Sequence, residues 1–151
     1  MNYEIESSQA MQQLGGRFGA AVRGGEVFEL VGDVGAGKTT LTKGLAEGLA
    51  ITEPVQSPTF TISRVYEARD GLELRHYDFY RLGEAGIMTD ELAEVFESSH
   101  NIVVVEWGGV VEGVLPADRL QLAITPTGET SRTVTVQALG PESEKVLEAL
   151  R

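Results

Sequence analysis

The stretch Gly32-Asp33-Val34-Gly35-Ala36-Gly37-Lys38-Thr39 constrains this chain more than any other. It satisfies G-x-x-x-x-G-K-[ST] at every fixed position. An apolar run, Val27 to Val31, precedes it and reads as a buried strand. A helical pattern follows, Leu41, Leu45 and Leu49, with Ala46 and Ala50 beside them. Strand, glycine-rich turn and helix are the context in which this pattern builds a phosphate site. Consecutive backbone N–H groups must point at one anion, and side chains at the glycines would obstruct the backbone's approach. The helix that begins near Lys38 aims its positive dipole end at the same place. Lys38 can reach β- and γ-phosphates and the Thr39 hydroxyl can ligate Mg²⁺. The candidate nucleotide contacts are therefore Gly32, Asp33, Val34, Gly35, Ala36, Gly37, Lys38, Thr39 and the neighbouring Thr40.

Composition narrows the class. A length of 151 residues predicts one domain, residues 1–151, with a core of its own. No apolar run has the length of a membrane span, and Met-Asn-Tyr-Glu-Ile-Glu lacks a signal-peptide pattern, so the expected location is cytoplasmic. There are no cysteines and only two histidines, His76 and His100, which argues against disulfides and zinc. A net charge of −11 argues against direct grip on a nucleic-acid backbone. It suits docking on a basic partner as well as it suits plain solubility.

The rest of the chain reads as a mixed α/β domain of three layers. Residues 2–6 are a candidate edge strand. Ser7 and Ser8 are candidate N-caps for a helix to about Val22, with Met11, Leu14, Phe18, Ala21 and Val22 inward and Gly24-Gly25 as its end. The phosphate-loop helix runs to about Leu49, and residues 51–60, with two prolines, form a loop. Strands are expected at Thr61–Ala68 and Leu72–Asp78, joined by Arg69-Asp70-Gly71, whose Asp-Gly pair is a hairpin signal. A helix around Asp90–Ser98 carries Leu92, Val95 and Phe96 on one face. Ile102–Val105 suits a buried parallel strand, Leu120–Ile124 and Thr133–Val136 alternate as further strands, and Glu142–Leu150 is a terminal helix.

Outside the loop, Glu106 is the most informative residue. It closes Ile-Val-Val-Val, at the carboxyl end of a buried strand, where open α/β sheets carry their ligand crevice. An acid there has the Walker-B arrangement and holds Mg²⁺ or attacking water. The plainer alternative is a surface acid where the strand emerges. Asp78, at the end of the second hairpin strand, is the rival metal-side carboxylate, or else a partner for Arg81. Thr59, in Ser57-Pro58-Thr59-Phe60, sits where a switch threonine would respond to metal and γ-phosphate, although these residues alone describe only a proline-containing loop. Trp107 and Tyr80 read first as packing, with a partner face as the alternative. Arg132 alone reads as a solvated arginine after a turn.

Four blocks occur in order: Gly-Asp-Val-Gly-Ala-Gly-Lys-Thr-Thr, Ser-Pro-Thr-Phe, His-Tyr-Asp-Phe-Tyr-Arg-Leu and Val-Val-Glu-Trp. Together, from about Ser8 to Val136, they resemble the TsaE (YjeE) family of small bacterial P-loop ATPases. The resemblance implies a P-loop α/β sandwich with a mixed central sheet, and a role in making threonylcarbamoyladenosine in tRNA. It implies ATP and Mg²⁺ as cofactors and TsaB- and TsaD-like proteins as partners, with tRNA met only through that complex. By position it implies that Lys38 and the loop amides hold phosphates and that Thr39 and Glu106 serve the metal. Asp78 and Thr59 match the family's second acid and switch-like threonine. Arg132 matches an arginine near the base, and Ser8 falls where the N-terminal segment approaches the nucleotide. Two positions depart from the pattern: Met11 replaces a common threonine, and Gly108-Gly109 follows the Glu-Trp block.

The function expected from all this is a Mg²⁺-dependent ATPase subunit, weak alone and dependent on partners. Lys38, Glu106, Asp78 and Thr59 are its candidate catalytic residues. Two alternatives share the loop: a small-molecule kinase, which usually needs an arginine-rich lid, and a non-hydrolysing nucleotide-dependent adaptor.

Overall fold

The computed structural model describes residues 1–33, 35–58, 63–79, 89–107 and 113–151. Val34, Thr59, Tyr80, Arg81 and the Gly108-Gly109 pair lie outside the described residues. Seven strands form one mixed sheet. In chain order they are β1 (Asn2–Ile5), β2 (Val27–Val31), β3 (Ser63–Glu67), β4 (Glu73–Asp78), β5 (Asn101–Glu106), β6 (Leu120–Pro126) and β7 (Arg132–Ala138). Their spatial order is β1-β7-β6-β2-β5-β4-β3. The centre, β6-β2-β5-β4, is parallel, and antiparallel strands flank it on both sides. Among the described residues, four helices cover the sheet: α1 (Ser8–Ala21), α2 (Lys38–Gly48), α3 (Thr89–Glu97) and α4 (Pro141–Ala149).

Strand alternation splits the core in two. Phe28, Leu30, Leu74, Ile102 and Val104 point to the face shared with α1, α2 and α4. Val27, Tyr77, Val103 and Val105 point the other way, to Leu92 and Val95 of α3. All six residues of β5 are buried, as a continuous apolar run in a doubly covered parallel strand requires. Val31, read as the end of a buried strand, is instead 43% exposed where β2 enters the loop.

α1 and α2 meet backbone to backbone. A Cβ on Gly44 would lie 1.9 Å from the Gln12 carbonyl oxygen, and one on Gly15 2.2 Å from that of Leu41. Gly19 and Gly48 repeat the arrangement one turn on. Each helix thus offers a small-residue groove to the other. This fixes α1, which is not part of the loop, rigidly on the helix that begins at Lys38.

Ser7 caps α1, its hydroxyl oxygen accepting from the Ala10 N–H at 3.0 Å. The helix ends at Ala21 with Val22 as its C-cap, in line with the expected end at about Val22, and Arg69 donates to the Gly19 and Val22 carbonyls, each at 2.9 Å. A cation from a distant hairpin satisfies the orphan carbonyls that a C-terminal glycine often handles. That hairpin turns through Asp70 (φ 58°) and Gly71 (φ 74°), as the Asp-Gly pair predicted.

Candidate functional site

The loop Gly32–Thr39 joins β2 to α2 at the carboxyl edge of the parallel strands. Gly35 and Gly37 take φ values of 83° and 114°, a region that side chains rarely adopt, and Gly37 stands as the N-cap of α2. The first glycine serves differently: a Cβ on Gly32 would sit 2.9 Å from the Ile124 carbonyl of β6. Inside the turn the Ala36 N–H donates to the Asp33 carbonyl at 3.0 Å.

Lys38 is only 6% exposed, and three groups share its ammonium. It donates to the Gly32 carbonyl at 2.8 Å, lies 3.7 Å from Glu106 Oε1, and sits 4.8 Å from the centre of the Trp107 ring. A buried cation needs such partners, because each replaces part of the hydration it has lost. Trp107 reaches this position through a left-handed backbone, φ 60°, immediately after β5. Thr39 follows on the first turn of α2, partly exposed.

Glu106 is 4% exposed at the end of β5, and Asp78 is 8% exposed at the end of β4. The two are register partners on adjacent parallel strands, so their side chains leave the same face at the same edge. His76 lies two residues before Asp78, on that face also, and is fully buried. Its Nε2 is 2.5 Å from Glu106 Oε2. A ring read only as evidence against zinc therefore touches the foremost candidate acid. The period-2 spacing to Asp78 was visible in the sequence, but the pairing of β4 with β5 was not.

Ser8, Thr40 and Arg132 also meet. With Gly35–Gly37, Ser7, Met11, Glu129 and Thr130 they line a pocket of about 210 Å³ beside the loop. Arg132 is not the solvated arginine its local sequence suggests. Its Nε donates to the Ala36 carbonyl at 3.0 Å and its Nη1 to those of Gly128 and Ser131 at 3.1 and 2.8 Å. It braces the β6–β7 turn against the loop. Met11, standing where a threonine is common, places its Cε 3.2 Å from a Cβ built on Gly37. Thr59 and Val34 lie outside the described residues, as does any pairing of Asp78 with Arg81.

The donor set is oxygen-rich: one helix hydroxyl and two neighbouring carboxylates. Among the described residues no group of three His, Cys, Asp or Glu side chains forms a metal cage. That composition fits Mg²⁺, which keeps its waters and uses one or two protein oxygens beside phosphate, and does not fit zinc.

A sheet with a parallel centre, a glycine-rich strand-to-helix loop, a lysine opening the helix and acids on the adjoining strand ends define a P-loop α/β protein. The family model described as "Threonylcarbamoyl adenosine biosynthesis protein TsaE" matches residues 5–134, and the chain belongs to that family. It is 40% identical over 146 residues to the tRNA threonylcarbamoyladenosine biosynthesis protein TsaE of Bacillus subtilis, covering 96% of this chain and 88% of that protein. It is 44% identical over 136 residues to the protein of the same name from Streptomyces coelicolor, covering 86% and 91%. The crystal structure of Bacillus subtilis YdiB superposes with a TM-score of 0.83 at 34% identity, covering 99% of this chain and 93% of that one. No helix among the described residues is long and apolar enough to cross a membrane.

Proposed function

We propose that this chain binds ATP with Mg²⁺ and hydrolyses it as an accessory subunit of tRNA threonylcarbamoyladenosine synthesis, acting on TsaB- and TsaD-like partners. The observation that carries the ATPase reading is the convergence on Lys38: loop carbonyl, strand-end carboxylate and indole ring surround one buried ammonium. Family membership carries the pathway. Triphosphate would enter against the loop amides and the start of α2, and Lys38 would exchange the Gly32 carbonyl for phosphate oxygens, a stronger charge-assisted bond. The nucleoside would lie toward the pocket lined by Ser8, Thr40 and Arg132. Thr39 with Glu106, or with Asp78, would hold Mg²⁺, which neutralises charge on the transferring phosphoryl group. The second carboxylate would then orient water. Among the described residues no arginine pairs with Lys38 or Glu106, so turnover by the chain alone is expected to be slow and partners to raise it.

The test is Mg²⁺-dependent ATP hydrolysis by the chain alone and with purified TsaB and TsaD. A low rate that rises with the partners and falls at least about a hundredfold in Glu106→Gln supports the reading, a loss typical of acid–base or charge-stabilising groups. A rate indifferent to the partners would redirect it toward a kinase and a search for a phosphate acceptor.

A further inference from the structure

We propose that His76 is a positioning residue for Glu106. Its Nε2–H holds one carboxylate oxygen so that the other stays turned toward Lys38 and the phosphate end of the loop. The ring nitrogen and the carboxylate oxygen are in direct hydrogen-bond contact, inside a site where His76 is fully buried and Glu106 nearly so, and burial strengthens such a bond. The ring's other nitrogen, Nδ1, is buried and has no hydrogen-bond partner among the described residues. A proton on Nδ1 would be a stranded donor, rarer in proteins than an unpaired acceptor. Placed on Nε2, the same proton is shared with a carboxylate. The geometry therefore aims the Nε2 side of the ring at Glu106 Oε2.

The consequence lies in the division of Glu106. A lone buried carboxylate beside a buried ammonium would close on it in a contact of about 2.8 Å. Instead Oε1 stands 3.7 Å from Lys38 Nζ while Oε2 is held by the ring. Glu106 has one committed oxygen and one oxygen facing the loop. The importance of this for turnover rests on the ATPase reading above, whereas the orientation itself does not.

Two measurements separate these. In nucleotide-free protein, ¹H–¹⁵N NMR of the imidazoles should show His76 protonated on Nε2 and bare on Nδ1. Its Nε2–H resonance should lie far downfield and move upfield in Glu106→Gln, whose neutral amide is a weaker acceptor. Protonation on Nδ1, or a resonance indifferent to Glu106→Gln, overturns the proposal whether or not ATP is hydrolysed. In the assay with partners, His76→Leu should lower kcat about tenfold with nucleotide affinity changed by less than about threefold, and His76→Gln should restore most of kcat. Equal losses in Leu and Gln that track thermal stability would also overturn it, by reducing His76 to packing. Should the wild-type protein hydrolyse no ATP with its partners, the ATPase reading fails and the NMR result still decides the orientation of Glu106.

Discussion

Lys38 and Glu106 were legible because each sits at a fixed offset from a strand, and the chain shows where its strands end. His76 and the ring of Trp107 were not, because their roles depend on which strand lies beside which. The cation–π contact makes Trp107, the chain's single tryptophan, a reporter on Lys38. Adding ATP and Mg²⁺ should change its emission as the ammonium leaves the ring, and Lys38→Met should abolish the change. An unaltered spectrum on saturating nucleotide would mean that Lys38 stays folded back. Lys38→Ala should weaken ATP binding by about 2 kcal/mol, roughly thirtyfold, the value of a hydrogen bond to a charged group. Equilibrium titration would show it.

Among the elements, the α1–α2 pair is where the sequence was least informative. The helical spacing of Met11, Leu14 and Phe18 identified an inward stripe, but no local pattern singles out Gly15, Gly19, Gly44 and Gly48 as contacts between helices. In the fold they let two backbones touch. Gly44→Ala drives a methyl into the Gln12 carbonyl and should cost about 3 kcal/mol or more, the upper range of overpacking. A urea midpoint unchanged from wild type would show slack between the helices that the geometry does not allow.

At α4, Gly140 has no capping side chain, and Asp118 supplies the cap from before β6, accepting from the Glu142 and Ser143 N–H groups at 2.9 and 3.0 Å. Burial pushes the Asp118 pKa up, but the Ser143 hydroxyl, these two N–H groups and Lys145 outweigh it and hold the carboxyl below its ordinary value. A lowered folded pKa stabilises the fold above the unfolded value and loses that contribution as pH falls through the folded one. The stability advantage of wild type over Asp118→Asn should therefore be present at neutral pH and fade below about pH 4. A difference constant from pH 7 to pH 3 would refute the capping role. Asp118→Ala, which removes the cap itself, should cost about 1 kcal/mol at neutral pH.

For the whole molecule, the formal net charge is −11. If it steers the chain onto a basic face of its partners, the association rate should fall at least about tenfold between low and physiological salt, with a smaller change in dissociation. Salt-independent association would leave the charge with solubility alone. The fold class was legible at this scale because β2, the loop and α2 form one continuous local signal. The hairpin, the buried run of β5 and the terminal helix were local signals as well.

By itself, then, the sequence determined the glycine-rich strand-to-helix loop, the identity of the strand-end acids and the mixed α/β class. These depend on residue type at short separation: glycines that permit positive φ, apolar periodicity that selects helix or strand, and an acid at the end of an apolar run. The tertiary structure decided the rest. It placed β4 beside β5, bringing His76 and Asp78 to Glu106, and it turned Trp107 over Lys38. It also set Arg69 at the end of α1, and Arg132 and Asp118 where loops needed donors and acceptors. The physical reason is that a buried polar group takes its partner from whatever the sheet order brings near, and sheet order is not encoded in any one segment.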